Sequence, residues 1–325
     1  MRIQTLDIGG ANTKKLLYEG GRTRSASYYF PLWKKKEEFP RFLRDISEEA
    51  YRTAVTMTAE LCDVFPSKKS GVEFIVSVCE EVLDAPLYLT TDQRLLEKDE
   101  ISDPSELAAA NWQASRYLLE KRFGEGILVD VGSTTTDILP FGEGTHCYRS
   151  DFERLKNHQL LYTGLLRTPV NTIVSEVPVH GQMVPVSSEY FAITADVYNI
   201  LWGVDYSCET PDGRGKTREE SLNRIARLLC ADKEEIEEEL PGICAHVHRM
   251  QVEGIAEAVK RAAISSKRKT LYVGGIGRRL GIEAAQSLDL PYVDLGAELK
   301  DAWNLPCLGL AEMTLELDGG ESHGL

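Results

Sequence analysis

One local pattern occurs twice in this chain of 325 residues and limits the folds that are open to it. An apolar strand ends in an aspartate, a glycine turn follows, and a second strand begins. The first copy spans residues 6–14 (Leu-Asp-Ile-Gly-Gly-Ala-Asn-Thr-Lys), and the second spans residues 129–137 (Val-Asp-Val-Gly-Ser-Thr-Thr-Thr-Asp). Self-similarity of this kind predicts an internal duplication, with two related lobes that each contain a strand, a tight turn and a returning strand.

The first turn carries groups that suit an anionic ligand. Gly9 and Gly10 let the backbone turn sharply, so that successive N–H groups can face one anion. Asn12, Thr13 and Lys14 add side-chain donors to the same short segment. An ordinary hairpin also explains a Gly-Gly pair after a strand, so this motif by itself leaves both explanations open.

The second turn combines aspartates with a run of hydroxyl groups. Asp130 stands near the end of the apolar strand, and Asp137 closes the motif. The candidate phosphate-binding residues between them are Gly132, Ser133, Thr134, Thr135 and Thr136. A hairpin with threonines that face solvent is the alternative, but an aspartate at each end of so short a turn favours a carboxylate that holds a cation.

A third glycine motif follows an apolar strand closer to the C-terminus. Residues 271–278 (Leu-Tyr-Val-Gly-Gly-Ile-Gly-Arg) place Gly274 and Gly275 between this strand and a helix. A dinucleotide-binding fingerprint is the competing explanation, but the Gly-x-Gly-x-x-Gly spacing is absent. We therefore expect Gly274 and Gly275 to contribute to phosphate binding.

Charge, cysteine content and hydropathy limit the partners of the chain. Lys and Arg number 37 against 51 Asp and Glu, so the formal net charge is −14, which repels nucleic acid and anionic membranes. The seven cysteines include no Cys-x-x-Cys pair, and no apolar run approaches the roughly 18 residues of a membrane span. The N-terminus opens on a strand pattern. We expect a cytoplasmic protein that binds small molecules, without nucleic-acid or membrane partners. The sequence leaves open whether the protein forms a homodimer.

The order and spacing of the three motifs resemble the phosphate-1, phosphate-2 and adenosine motifs of the superfamily of acetate and sugar kinases, heat-shock chaperone ATPases and actin. The resemblance implies an α/β fold with two ribonuclease-H-like lobes and a ligand cleft between them. It also implies that Asp7 and Asp130 help to hold Mg²⁺, usually through water. We predict lobes at residues 1–124 and 125–325, the second with an inserted region near residues 142–215.

Shorter strings point to one branch of that superfamily. They are residues 90–94 (Thr-Thr-Asp-Gln-Arg), 110–112 (Ala-Asn-Trp), 162–169 (Tyr-Thr-Gly-Leu-Leu-Arg-Thr-Pro), 192–198 (Ala-Ile-Thr-Ala-Asp-Val-Tyr) and 212–217 (Asp-Gly-Arg-Gly-Lys-Thr). These strings look like the hydantoinase-like family linked to the tetrahydromethanopterin C1-transfer pathway, nearly from end to end. The resemblance implies a transferase of methanofuran or methylofuran biosynthesis. Such an enzyme condenses 5-(aminomethyl)-3-furanmethanol diphosphate with γ-glutamyltyramine and releases diphosphate.

The implied chemistry suggests roles for single residues. Asp7, Lys14 and Asp130 would act on the departing diphosphate, where developing negative charge needs donors and a cation. Arg167 lies in a loop framed by glycine and proline and would bind the acceptor's carboxylate, although a loop-bracing ion pair explains it equally well. Asp196 is the candidate base for the phenol, and a helix-capping aspartate is the alternative.

Two other functional classes stay open from the sequence. One is an ATP-dependent small-molecule kinase, or a hydrolase of hydantoinase or oxoprolinase type, with the same fold. The other is a non-enzymatic nucleotide-binding module. Turnover of ATP in the absence of other substrates would favour the first class, and tight nucleotide binding without chemistry would favour the second.

Overall fold

The computed structural model describes residues 1–319, which divide into two compact units. The first unit contains Met1–Leu128, Leu139–Asn157 and the described residues from Leu295 onward. The second unit contains Val129–Ile138 and His158–Asp294. Two later segments, Leu139–Asn157 and the described residues from Leu295 onward, belong to the first unit. The compact units are therefore not the same segments as the predicted lobes 1–124 and 125–325, whose boundary stays a prediction.

The N-terminal part of the first unit supplies a six-stranded sheet. Its strands are β1 (Arg2–Ile8), β2 (Asn12–Glu19), β3 (Arg22–Tyr29), β4 (Arg52–Met57), β5 (Leu87–Leu89) and β6 (Leu95–Leu96). Its helices are α1 (Leu32–Lys35), α2 (Phe39–Ile46), α3 (Lys68–Val82) and α4 (Asn111–Phe123), with 3-10 turns at Lys36–Glu38, Lys98–Glu100 and Pro104–Leu107. The strand order is β3-β2-β1-β4-β5-β6, and β4 runs parallel to both β1 and β5.

A five-stranded sheet with the order β13-β12-β7-β8-β9 follows. The remaining strands are β7 (Gly126–Val131), β8 (Thr136–Phe141), β9 (Leu160–Leu161), β10 (Glu176–Val179), β11 (Gln182–Pro185), β12 (Leu271–Gly274) and β13 (Tyr292–Asp294). The remaining helices are α5 (Asp151–Lys156), α6 (Thr194–Trp202), α7 (Arg218–Arg227), α8 (Lys233–Ile236), α9 (Leu240–Ser266), α10 (Arg278–Ser287), α11 (Leu295–Glu298) and α12 (Leu305–Leu317), with 3-10 turns at Val170–Thr172 and Ala302–Asn304.

The two predicted strand–turn–strand copies are present and close in the same way. The Gly9 N–H donates to the Asn12 carbonyl at 3.0 Å, and the Gly132 N–H donates to the Thr135 carbonyl at 2.9 Å. A Cβ atom on Gly9 would lie 2.6 Å from the Asn12 oxygen, and one on Gly132 would lie 3.2 Å from the Thr135 oxygen. The duplication therefore extends from the sequence pattern to the backbone of each turn.

The sequence predicts one helix over residues 104–122 and another around residues 188–202, and both are shorter in the structure. The first begins as a 3-10 turn, and Ala109 (φ 49°) interrupts the helical backbone before α4 starts. The second is confined to α6. The irregular region near residues 142–215 also contains the β10–β11 hairpin, whose turn at His180 and Gly181 has positive φ at both residues.

The C-terminal helix α12 explains why late residues join the first unit. Each residue from Leu305 to Leu315 is buried, and the helix packs against α4 and the first sheet. Gly309 permits the close approach of the two helices, because a Cβ atom there would overlap the Ala114 carbonyl group. Within residues 1–319, no helix has both the length and the apolarity that crossing a membrane requires.

We expect the Gly309→Ala substitution to lower the free energy of unfolding by about 2 kcal/mol, because a crowded helix interface must move apart. Gly254 in α9 is a matched control, since a Cβ atom there meets no atom within 4 Å. Gly254→Ala should raise the stability by roughly 0.5–1 kcal/mol, as expected for a helix interior. Chemical denaturation of both variants tests this packing, and equal stability of the two variants would contradict it.

Candidate functional site

The first glycine turn, at residues 9–12, brings a buried carboxylate and a lysine together at the start of the first unit. Asp7 lies opposite Lys14 in the β1–β2 pair, and the Lys14 Nζ atom is 3.8 Å from Asp7 Oδ2. Asp7 is only 5% exposed, whereas the Lys14 side chain is 29% exposed. The lysine therefore balances the buried charge and still has contact with solvent at the turn.

The segment that follows β4 lies against this turn. The Thr58 Oγ1 atom would be 3.5 Å from a Cβ atom on Gly9, and the Cys62 Sγ atom would be 2.8 Å from one on Gly10. The contact at Gly9 is an ordinary van der Waals distance, whereas a side chain at Gly10 would force the Cys62 side chain to move. In the sequence Glu60 lies between Thr58 and Cys62, and it is 2% exposed.

Glu60 is a candidate functional residue that the sequence analysis missed. Burial raises the pKa of its carboxyl group to about 7, and the negative charge of Asp151 acts in the same direction. Its Oε2 atom has no hydrogen-bond partner in the part of the chain that the structure describes. A carboxyl group whose pKa is raised to about 7, close in the chain to the contacts of the glycine turn, suits acid–base chemistry. The one hint in the sequence was an acidic residue that closely follows a β-branched strand.

The second glycine turn, at residues 132–135, lies in the second unit and is covered by the loop at residues 163–167. The Ser133 carbonyl accepts hydrogen bonds from the Leu166 and Arg167 N–H groups, both at 3.0 Å. A Cβ atom on Gly164 would lie 2.6 Å from the Thr134 nitrogen, so only glycine allows this packing. The loop belongs to the string at residues 162–169 that carried the family resemblance. These contacts explain why that string and the second turn occur together.

Arg167 lies against the second glycine turn, at residues 132–135. Its Nη1 atom is 3.4 Å from the Thr134 Oγ1 atom, and its backbone is bonded to the same turn. This contact associates the guanidinium group with the hydroxyl-rich turn, where it suits an anionic ligand. The predicted acceptor-binding role of Arg167 stays a prediction.

The third glycine motif packs against the end of β7 in the same unit. Gly275 has φ 82°, and a Cβ atom there would overlap both the Val131 carbonyl and the Asp130 Oδ1 atom. The Gly277 N–H donates to the Val131 carbonyl at 2.8 Å. The structure thus brings Asp130 and Gly275 together, although 145 residues separate them in the sequence.

The residues at Asp130 fit a magnesium ion by their chemistry. Among residues 1–319, no three His, Cys, Asp or Glu side chains gather into a ready-made metal cage. Mg²⁺ commonly binds through one or two carboxylates and completes its coordination with water and substrate phosphates. Glycine at position 275 keeps bulk away from the Asp130 carboxylate, so this donor and its surroundings suit that kind of site.

Asp196 has a different environment from the one that a catalytic base requires. It is fully buried, and Oδ1 accepts hydrogen bonds from Arg224 Nε at 2.8 Å, Ser221 Oγ at 3.0 Å and Tyr206 OH at 3.2 Å. Oδ2 accepts from the Ile193 N–H at 3.1 Å, where α6 begins. This arrangement favours the alternative in which Asp196 caps a helix and braces the core, because both carboxylate oxygens accept hydrogen bonds and the side chain is fully buried.

Arg224 connects two further strings of the family resemblance. Its Nη1 atom donates to Asp212 Oδ1 at 3.2 Å and to the Gly215 carbonyl at 3.0 Å. The guanidinium group is fully buried and satisfied by Asp196 and Asp212. Residues 192–198 and 212–217 are therefore joined by one buried polar network that holds this part of the second unit together.

Two solved structures share the overall fold. Nucleotide-free acetone carboxylase matches with a TM-score of 0.54 and 9% identity, over 96% of this chain and 70% of that chain. A ROK family glucokinase from Streptomyces griseus, in complex with glucose and AMPPNP, matches with a TM-score of 0.50 and 10% identity, over 96% of this chain and 99% of that chain. The chain therefore has the actin-like ATPase fold, with mixed α/β sheets in two lobes, as the three motifs predicted.

Sequence comparisons identify the family. The hydantoinase/oxoprolinase model matches residues 51–316, so the chain belongs to the hydantoinase/oxoprolinase family. A Methanocaldococcus jannaschii enzyme named (4-{4-[2-(gamma-L-glutamylamino)ethyl]phenoxymethyl}furan-2-yl)methanamine synthase is 38% identical over 86% of this chain and 87% of its own length. A Methanococcus vannielii enzyme of the same name is 38% identical over 50% of this chain and 75% of its own length. The predicted family resemblance is confirmed.

Proposed function

We propose that this protein is a transferase of methanofuran or methylofuran biosynthesis. It would join 5-(aminomethyl)-3-furanmethanol diphosphate to γ-glutamyltyramine, form an aryl ether and release diphosphate. The observation that carries the proposal is the 38% identity over 86% of the chain to the Methanocaldococcus jannaschii synthase. The name of that enzyme describes a γ-glutamylaminoethyl phenoxy group on a furanylmethyl carbon, and a phenol and a furanylmethyl electrophile are the parts from which this ether forms.

The reaction is a substitution at the furanylmethyl carbon. The phenol oxygen forms a bond to that carbon, the bond from carbon to the diphosphate oxygen breaks, and the bonding pair leaves with diphosphate. The phenol proton passes to a base or to water. The furan ring stabilises positive charge on the carbon, so departure of diphosphate leads the bond changes. Catalysis therefore depends on donors and cations that stabilise the developing negative charge.

The two turns supply such donors. In the first unit we assign diphosphate binding to Gly9, Gly10, Asn12, Thr13 and Lys14. In the second unit we assign it to Gly132, Ser133, Thr134, Thr135, Thr136, Arg167, Gly274 and Gly275. The support is the closure of both turns by the same backbone hydrogen bond and the contact of Arg167 with Thr134. Backbone N–H groups in such turns bind anions without a net positive charge on the protein, as this acidic chain requires.

We propose that Asp7 and Asp130 are carboxylates that hold Mg²⁺, and that the bound ion neutralises charge on diphosphate. Asp130→Asn should therefore remove most of the magnesium-dependent part of the diphosphate affinity. Calorimetric titration of diphosphate with and without Mg²⁺ measures that part. Asp289→Asn is the matched control, because Asp289 is exposed in the same unit and has φ 53°, which asparagine tolerates. Equal affinity of the wild-type protein with and without Mg²⁺ would rule out the metal.

A turnover experiment tests the proposed function. The purified protein is incubated with both substrates and Mg²⁺, and mass spectrometry follows the ether while a coupled assay follows diphosphate. We expect one diphosphate for each ether and no ADP when ATP is added. Stoichiometric ADP together with product would instead assign the protein to the kinase or ATP-dependent hydrolase class.

We also propose a cytoplasmic location. Cys79, Cys244 and Cys307 are buried free thiols, and burial raises the pKa of Cys244 and Cys307 to about 12. Thiols of this kind persist in reducing compartments, where disulfides are rare. Detection of a tagged protein in fractionated cells, with the bulk in the cytoplasmic fraction, is the expected result.

A further inference from the structure

A cavity of about 550 Å³ lies within the first unit. Its lining comes from three places: residues 91–93 after β5, Gln113 and Arg116 on α4, and residues 145–150 with Glu153 at the start of α5. Its volume falls in the range of small-molecule binding sites. Residues 91–93 lie within a string that carried the family resemblance, and the 110–112 string directly precedes Gln113, yet the diphosphate chemistry uses neither string.

Two buried polar atoms on the lining residues lack partners. Gln113 is 6% exposed, and its amide nitrogen donates to the Thr91 carbonyl, but its Oε1 atom has no hydrogen-bond partner among the described residues. Arg116 Nη2 pairs with Glu120 Oε1 at 2.6 Å, whereas the buried Arg116 Nε has no partner in the same described range. Unsatisfied buried groups are costly in a protein interior, and a ligand in the cavity would satisfy both of them.

The charges that line the cavity are balanced. They are the carboxylates of Asp92 and Glu153 and the guanidinium groups of Arg116 and Arg149. Arg149 Nη2 pairs with Asp92 Oδ1 at 2.7 Å, and the Arg149 side chain is 72% exposed, so this pair can open at little cost. A multiply charged anion such as diphosphate finds no excess of positive charge here. A zwitterion with one ammonium and one carboxylate group matches both signs.

We propose that this cavity binds the amino acid end of the acceptor, that is, the α-carboxylate and α-ammonium groups of γ-glutamyltyramine. Arg116 Nε and the Arg149 guanidinium group bind the carboxylate. Gln113 Oε1 and Asp92 accept hydrogen bonds from the ammonium group. The identity of the acceptor rests on the proposed function, and the inference deepens that function by assigning a binding site to one substrate. Under this assignment Arg116 and Arg149, and not Arg167, bind the acceptor's carboxylate.

Binding measurements with two ligands test the assignment. We titrate γ-glutamyltyramine and tyramine, which lacks the glutamyl group, into the wild-type protein and into Asp92→Asn and Arg116→Gln. Loss of a charged hydrogen bond should weaken γ-glutamyltyramine binding about 10-fold or more in each variant. Tyramine and diphosphate binding should not change. Asp45→Asn is the control, because Asp45 forms an exposed ion pair with Arg41 on α2.

The outcomes separate this assignment from the proposed function. If both variants bind γ-glutamyltyramine as the wild-type protein does, or lose diphosphate binding instead, the cavity is not the acceptor site. If the wild-type protein forms the ether and Asp92→Asn keeps the acceptor KM, the function holds and the cavity assignment fails. If binding depends on Asp92 but no ether forms, the cavity assignment holds and the proposed function fails.

Discussion

Replacement of Lys14 by alanine is expected to lower kcat about 10²-fold or more, in line with the loss of one preorganised donor to a developing anion. Its ammonium group lies at the first glycine turn beside Asp7 and keeps contact with solvent. In the proposed reaction, charge on diphosphate grows as the carbon–oxygen bond breaks, so this donor would interact more strongly with the transition state than with the bound substrate. The effect should therefore appear in kcat, with little change in the acceptor's KM.

Two controls define the Lys14 result. Lys35→Ala removes the same charge from an exposed position on α1 and should leave kcat unchanged. Because Lys14→Ala leaves Asp7 buried without this lysine, thermal unfolding must first show that the variant is folded.

Arg167→Ala should raise the KM of the diphosphate ester. If Lys14→Ala is silent while Arg167→Ala raises only the acceptor's KM, the sequence-based role of Arg167 stands and the role of Lys14 falls.

The Glu60→Gln substitution should change how stability depends on pH. The pKa of Glu60 is raised from 4.5 to about 7 in the folded protein. A raised folded-state pKa contributes stability that is fully present below the unfolded-state pKa and is lost as the pH rises through the folded-state pKa. Between these two values, the wild-type protein should lose about 3 kcal/mol of unfolding free energy relative to Glu60→Gln.

Denaturant titrations near the two ends of this window measure the Glu60 effect. Glu73→Gln on α3 is the matched control, since the Glu73 side chain is 54% exposed and its removal should leave the pH dependence of the wild-type protein intact. The difference between the wild-type protein and Glu60→Gln should grow as the pH rises from about 5 to about 7. A constant difference across this range would show that Glu60 is already charged in the folded protein.

Local sequence patterns were sufficient for the parts of the fold that local geometry determines. The repeated strand, aspartate and glycine turn predicted both hairpins, because tight turns at Gly9 and Gly132 depend on a few neighbouring residues. The break at Ala109 was missed because its left-handed backbone leaves no pattern in the composition around it.

Long-range contacts account for what the sequence did not predict about the candidate site. The association of Arg167 with Thr134 depends on a loop that folds back over the turn. The burial of Asp196 depends on Arg224, which lies 28 residues later in the chain. Glu60 acquires its raised pKa from burial, which no local pattern reports. In each case the residue type was visible in the sequence, but its surroundings were set by tertiary packing.

The central claim is that the bond between carbon and oxygen of the furanylmethyl diphosphate breaks, so that the phenol oxygen becomes the ether oxygen. A substrate that carries heavy oxygen in the bridge between the furanylmethyl carbon and diphosphate tests this claim most directly. Mass spectrometry of the products then locates the label. We expect all of the label in the released diphosphate and none in the ether. Label in the ether would mean that the phosphorus–oxygen bond and the aryl carbon–oxygen bond of the phenol break instead, and would contradict the proposed transfer.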